Sequence, residues 1–411
     1  MTRFMLGLLV YAVLAGCSSI PAVLLSEGPV PPGYFEVLGR GPVTETHTAD
    51  LVVFEGVDGR DYAYTTTWGG CRGCFGDRMY VWDVTDPSRP ALTDSVMVDA
   101  RIVNDVTVNA DRTIGVITRE QASSRRNGIV LLDLSEPAHP TVLSEFWETV
   151  TGGVHTTFID GDLVYAVHNG TADLHIIDIS EPGTPTQVGR WGIQQHPAKY
   201  LHDVWVQDGL AYLSYWDDGL IILDVGNGVM DGSPQDPQFV SQANYRYEWR
   251  GQQYGNTHMA VPYTNAAGQK YVFVGDEILP DRFDGSTATT AGGYLHVFDV
   301  TDIRKPTEVA FYRLPDAGTH NFWIEDDVLY LAYYNAGLRA LDVSGQLRGD
   351  LLRQGREIAA LLTTDDQARY PDRPFAMTPM LHKGLIYTAD FNSGLWITRL
   401  YRAGKPAAEG N

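Results

Sequence analysis

The stretch Leu174-His175-Ile176-Ile177-Asp178-Ile179-Ser180-Glu181-Pro182-Gly183-Thr184-Pro185 recurs in variant form along most of the chain. An apolar run with β-branched content ends in Asp and breaks at a proline turn, where a fixed φ and a missing N–H stop the strand. The same design returns at Met79 to Asp83, Ile129 to Asp133, Leu220 to Asp224, Leu295 to Asp299 and Leu338 to Asp342. The turns that follow read Asp86-Pro87-Ser88-Arg89-Pro90, Glu136-Pro137-Ala138-His139-Pro140 and, more loosely, Asp302-Ile303-Arg304-Lys305-Pro306. From Asp to Asp the steps are 50, 45, 46, 75 and 43 residues. A four-stranded propeller blade takes about 40 to 50 residues, and the strand-rich composition excludes the helical repeats of similar period.

Each unit reads as a meander. Leu201 to Val206 alternates, turns at Gln207-Asp208-Gly209, returns as Leu210 to Ser214, and turns again at Asp217-Asp218-Gly219 into Leu220 to Asp224. Asp-Gly is a tight-turn signal between strands. An outer strand such as Thr186 to Trp191 or Thr307 to Phe311 follows the proline turn. A last unit, Met377 to Leu400, has two hairpins but no outer strand, and Arg399 stands where Asp is expected. Tyr34 to Arg40 matches the outer-strand sequences and precedes the first complete unit. The expectation is an all-β, seven-bladed propeller over residues 34–401, closed by an N-terminal strand that completes the last blade and removes the exposed edges. The 75-residue step is expected to be one blade carrying extra loops, Gly226 to Gly255 and Ile278 to Gly293, and Leu347 to Leu362 a short helix. Residues 402–411 are expected to form a disordered tail.

The strand-Asp-x-[ST]-[DE]-Pro-x-x-Pro signature resembles the LVIVD-repeat proteins, a family of exported bacterial β-propellers, over most of the chain. The resemblance implies the fold and hardly an activity, because propellers host binding proteins, scaffolds and enzymes alike.

The 411 residues carry 30 Lys and Arg against 51 Asp and Glu, a net charge of −21, which makes nucleic acid and anionic lipid poor partners and cations or metal ions better ones. Residues 1–16 read as a signal peptide: Arg3, an apolar run from Phe4 to Val13 too short to span a bilayer, then Leu14-Ala15-Gly16-Cys17. That ending resembles a bacterial lipoprotein signal, which implies cleavage before Cys17, lipidation of Cys17, and a tether over residues 17–33. Ser18 after the cysteine implies sorting to the outer membrane of a Gram-negative bacterium. In such an oxidising compartment Cys71 and Cys74, spaced C-x-x-C among glycines, are read as a small loop disulfide.

Aligning the units on their Asp brings His155, His202 and His320 to one position at the start of the first strand, with His47, Asn104, His258 and Met377 as counterparts in the other units. First strands are innermost in a propeller, so these residues are expected around the mouth of the central channel. Loops between second and third strands emerge on the same face and bring His168, Trp216, Asp217, Asp276, Glu277, Tyr334, Asn335 and Asp390. Three chemistries are open to the ring. A first-strand His can bond the neighbouring blade's backbone as a packing rule of the repeat. Alternatively His155, His202, His258 and His320 can hold copper or zinc, copper being favoured by a thioether such as Met377. Thirdly, the imidazoles can serve a small-molecule pocket as hydrogen-bonding or acid–base groups.

The repeated Asp residues are expected to cap turns rather than to bind calcium. The Asp276, Glu277, Asp281 and Asp284 cluster matches no calcium loop. No G-x-S-x-G, Walker or Rossmann motif is present. The resulting expectation is a lipid-anchored binding module, at the cell surface or facing the periplasm, whose His-lined face takes a small molecule or an envelope protein. The alternative is a copper- or zinc-dependent enzyme using the channel-mouth histidines.

Overall fold

The computed structural model describes residues 29–70, 73–193, 199–279 and 291–402. Among them there is no helix, and seven antiparallel blades stand around a central channel as a β-propeller. The innermost strands of blades one to seven are His47–Glu55, Val106–Val108, Val154–Asp160, Asp203–Gln207, Thr257–Thr264, Phe322–Glu325 and Ala376–His382. The 75-residue step is one blade. Thr257–Thr264, Lys270–Asp276, Leu295–Asp299 and Thr307–Tyr312 form it, and the hairpin of Tyr247–Trp249 with Gln252–Tyr254 is an insertion before it.

The last blade is closed from the other end of the chain. Tyr34–Pro42 runs antiparallel to Gly394–Tyr401, pairing Tyr34 with Tyr401 and Pro42 with Gly394. The ring therefore has no open seam between its first and last units, which removes a template for edge-to-edge association. Between blades, alternate faces of the strands meet in apolar layers; Tyr165, Leu174 and Ile176 of blade three pack on Val204, Leu213 and Leu223 of blade four. Side chains of this kind, fully removed from water, contribute roughly 1.5–3 kcal/mol each.

The repeated Asp residues cap the turns. Asp83, Asp133, Asp178, Asp299 and Asp342 each accept the backbone N–H two residues on, at 2.8–3.0 Å. The proline turn then leans on the outer strand of the preceding blade: Ser144 and Ser241 donate to the carbonyls of Pro182 and Ile303. Where glycine holds the equivalent place, a Cβ on Gly189 would stand 1.9 Å from the Pro234 carbonyl oxygen.

Leu347 to Leu362 is not the expected helix. Gly349 and Gly355 within it adopt φ of 60° and 70°, a left-handed backbone that a helix cannot contain. Gly349–Asp350 instead adds a short parallel strand to blade five, and Glu357–Leu361 is the outer strand of blade six. The apolar spacing of Leu347, Leu351 and Leu352 records burial against blade five.

Candidate functional site

The site starts from irregularities in the innermost strands. The inner ladder breaks register between Val154 and Thr157, between Thr257 and Met259, and between Ala376 and Thr378. His155, His258 and Met377 lie in those breaks, and bulges of this kind re-aim side chains. His202 and His320 sit just ahead of their strands, their amides bonded to the carbonyls of Ser214 and Ala332. In blade one the break between Thr48 and Leu51 frees Asp50 from the ladder.

These residues line one cavity of about 660 Å³ that runs down the channel. The first level holds Asn104, His155, His202, His258, His320 and Met377, with Trp68, Tyr200, Trp216, Glu277, Tyr334 and Phe391 around them. One residue further along the inner strands, Asp105, Asp203, Asn321 and Thr378 make a second polar level, joined by Asp50. Two residues deeper the wall turns apolar with Phe158, Trp205, Trp323 and Met380. Among the described residues no Lys or Arg lines the cavity.

Four imidazoles form a continuous arc. Ring centroids are 4.6 Å apart for His155 and His202, 4.0 Å for His202 and His258, and 4.2 Å for His258 and His320. The neighbouring-blade contact that a repeat would impose is present in part. His202 Nδ1 lies 3.2 Å from the His258 carbonyl and His320 Nδ1 lies 2.6 Å from the Met377 carbonyl, while Asn104 donates to the His155 carbonyl at 3.1 Å. A carbonyl only accepts, so in His202 and His320 the proton is on Nδ1 and the lone pair is on Nε2. Such second partners orient metal-ligating histidines. Neither ring nitrogen of His258, which is 2% exposed, has a hydrogen-bond partner among the described residues.

The electrostatics separate the arc into two kinds of imidazole. Burial, reinforced by neighbouring imidazoles, pushes His202 and His258 well below the ordinary histidine value, and burial takes His320 down to about 3. All three are neutral at physiological pH. His155 is different: burial opposes its charge, but Glu120 at 2.8 Å from Nδ1 outweighs burial and raises its pKa. Its Nε2 lies 3.1 Å from His202 Nε2, and since His202 can only accept there, His155 donates.

The carboxyls below are strained in the opposite sense. Burial lifts Asp203 to about 7 and raises Glu277, whose carboxylate accepts the Tyr334 hydroxyl. Burial raises Asp50, and burial together with repulsion from Asp50 raises Asp105 much further. Asp105 is fixed by the Thr157 amide at 2.6 Å and the Thr157 hydroxyl at 2.8 Å.

The other anticipated site residues lie elsewhere. His47 is buried against Phe391, at 3.8 Å between centroids, with Nδ1 on the Phe391 carbonyl at 3.1 Å, and does not line the cavity. His168 turns into blade three, where Nε2 accepts the Gly152 amide at 3.0 Å and the ring packs on His175. Asp217 faces Arg246 at 3.7 Å, and Asp276 pairs with His296 at 2.8 Å. Cys74 is disulfide-bonded. Cys71, Cys17, the segment expected to be a signal peptide and the residues beyond 402 lie outside the described residues.

Asp50, Asp105, Asp203, Trp68 and Tyr200 join the site without having been singled out by sequence. For Asp105 and Asp203 a signal existed, since each directly follows a ring-position residue. For Asp50 none did, because a bulge brings it inward.

Fold and channel define a β-propeller with a ligand-sized central cavity. Residues 124–147, 155–192 and 199–229 match the LVIVD repeat model, so over these segments the chain carries LVIVD repeats. No curated protein sequence matches the chain. Among solved structures it is similar to the crystal structure of the C-terminal WD40 domain of Sif2, with a TM-score of 0.52 and 14% identity, over 86% of this chain and 81% of that one. At that identity the likeness is one of fold.

Proposed function

We propose that the protein is a binding module that takes a positively charged ligand into its central cavity through the histidine-lined mouth. The observation that carries this reading is the lining: Asp50, Asp105, Asp203 and Glu277 enter one cavity of about 660 Å³ with no Lys or Arg among its described residues. Buried carboxyls that resist ionisation have unmet charge stabilisation, and a cation supplies it. Trp68, Tyr200, Trp216 and Tyr334 offer aromatic faces, which attract cations, and the apolar wall at Phe158, Trp205 and Trp323 suits a hydrophobic body.

Thermal unfolding with matched probes tests the reading. At equal millimolar concentration phenethylammonium raises the midpoint and phenylacetate does not, and Asp203→Asn reduces the difference. Stabilisation by phenylacetate equal to or above that by phenethylammonium overturns the reading. The module works at the envelope, held by a lipid on Cys17, and its ligand is a small molecule or a cationic group of an envelope protein. The signal-like stretch ending at Cys17 supports this placement.

A further inference from the structure

We propose that His202, His258 and Glu277 form a binding site for a first-row transition-metal ion of the zinc and copper class at the mouth of the cavity. The inference rests on the cation-binding reading and deepens it by naming the cation. One ligand atom from each of the three residues lies within 4.8 Å of the other two. They come from blades four and five and from the loop after Lys270–Asp276, so the convergence is a product of the ring and not of local sequence.

Three features make the cluster a ligand set rather than a packing accident. His202 has its Nδ1 proton committed to the His258 carbonyl, which presents an unprotonated Nε2 to the cavity. His258 is buried with both ring nitrogens lacking a hydrogen-bond partner among the described residues, a cost that native interiors rarely leave uncompensated. Glu277 is oriented by the Tyr334 hydroxyl on one carboxylate oxygen, leaving Oε2 4.0 Å from His202 Nε2.

Zinc is held by nitrogen at about 2.0–2.1 Å and by carboxylate oxygen at about 2.0–2.2 Å, so tetrahedral neighbours stand roughly 3.3 Å apart. Oε2 of Glu277 closes its gap by side-chain rotation. A metal ion takes the place of the His155 N–H at His202 Nε2, and its fourth position is left to water or to a ligand in the cavity. Imidazole with carboxylate suits zinc and copper, and not calcium or magnesium, which take oxygen.

The test is equilibrium dialysis of the metal-free full chain against Zn²⁺, with metal quantified by mass spectrometry. The expected result is one zinc per chain in the wild type and in His168→Ala, a histidine outside the cavity, with affinity lowered at least about a hundredfold in His258→Ala and Glu277→Gln. Retention of wild-type affinity by both variants, or no zinc bound by the wild type, overturns the proposal. Should the variants fail to fold, Cu²⁺ bound to the wild type decides: its electron paramagnetic resonance must show nitrogen coupling from imidazole, and an oxygen-only spectrum overturns the site. Loss of the metal with a retained preference for phenethylammonium over phenylacetate removes this inference alone; preference for the anion removes the broader reading.

Discussion

Asp224 shows how much one repeated residue can carry. Its carboxylate accepts the amides of Gly226, Asn227, Gly228, Met230 and Gly232 at 2.7–3.2 Å, whereas Asp178 takes the Ser180 amide alone. Burial opposes its charge, and the converging amides still hold its pKa down to about 2. Asp224→Ala is expected to cost about 3 kcal/mol or more and Asp178→Ala about 1 kcal/mol, read from denaturant unfolding. Equal losses would contradict the assignment of the Gly226 to Gly232 loop to Asp224. His296 offers a titration with a definite sign. It lies 2.8 Å from Asp276 and 2.8 Å from Glu308; burial disfavours its charge, but the two carboxylates raise its pKa to about 9. A raised histidine contributes stability that is full below its unfolded value near 6.5 and is lost as pH climbs through 9. Unfolding free energy should therefore fall by on the order of 3 kcal/mol between those values, and His296→Gln should flatten the slope. An unchanged slope in that variant would contradict the charged assignment. At this scale the sequence showed the turn-capping role of the Asp residues, because it depends on neighbours two positions away. It did not show that His168 turns inward to Gly152 and His175 while His155 faces the channel, since both are histidines at strand ends and only tertiary packing separates them.

At the scale of elements, the closing strand is the most exposed prediction. Tyr34–Pro42 supplies the outer edge of blade seven, and Phe35 is buried with Val328, Tyr330 and Ile386 in the layer shared with blade six. Deleting residues 34–40 removes a full ladder and that layer's cover, so the midpoint of thermal unfolding should drop by about 4 °C or more, on the order of 3 kcal/mol for a domain of this size. A deletion that leaves the midpoint unchanged would contradict closure from the N-terminus. The meanders and this strand exchange were legible because hairpin turns and period-two alternation are local signals. The inner-strand bulges were not: a shift of one residue leaves composition and spacing untouched, yet it decides that His258 and Asp50 face the channel. The segment from Leu347 to Leu362 misled for the same reason, its leucine spacing being compatible with a helix until the left-handed glycines are placed.

The whole molecule joins an acidic body to a cavity that is acidic and imidazole-lined. A net charge of −21 raises the local concentration of cations, and the closed ring holds histidines from different blades at fixed separation. Cys17→Ser should release the protein from the membrane fraction into the soluble one; persistence in the membrane fraction would contradict lipid anchoring. Six of the seven related positions line the channel and His47 does not; which of them converge was not readable from the repeat, because convergence depends on the radius of the channel and on a loop residue, Glu277, that belongs to no repeat. The most direct test of the cation site is anomalous diffraction from crystals of the full chain grown with Zn²⁺, recorded on both sides of the zinc edge. One strong peak is expected, bonded to Nε2 of His202, to a ring nitrogen of His258 and to the carboxylate of Glu277. A peak confined to the outer turns, or none in the channel, would contradict the proposed site.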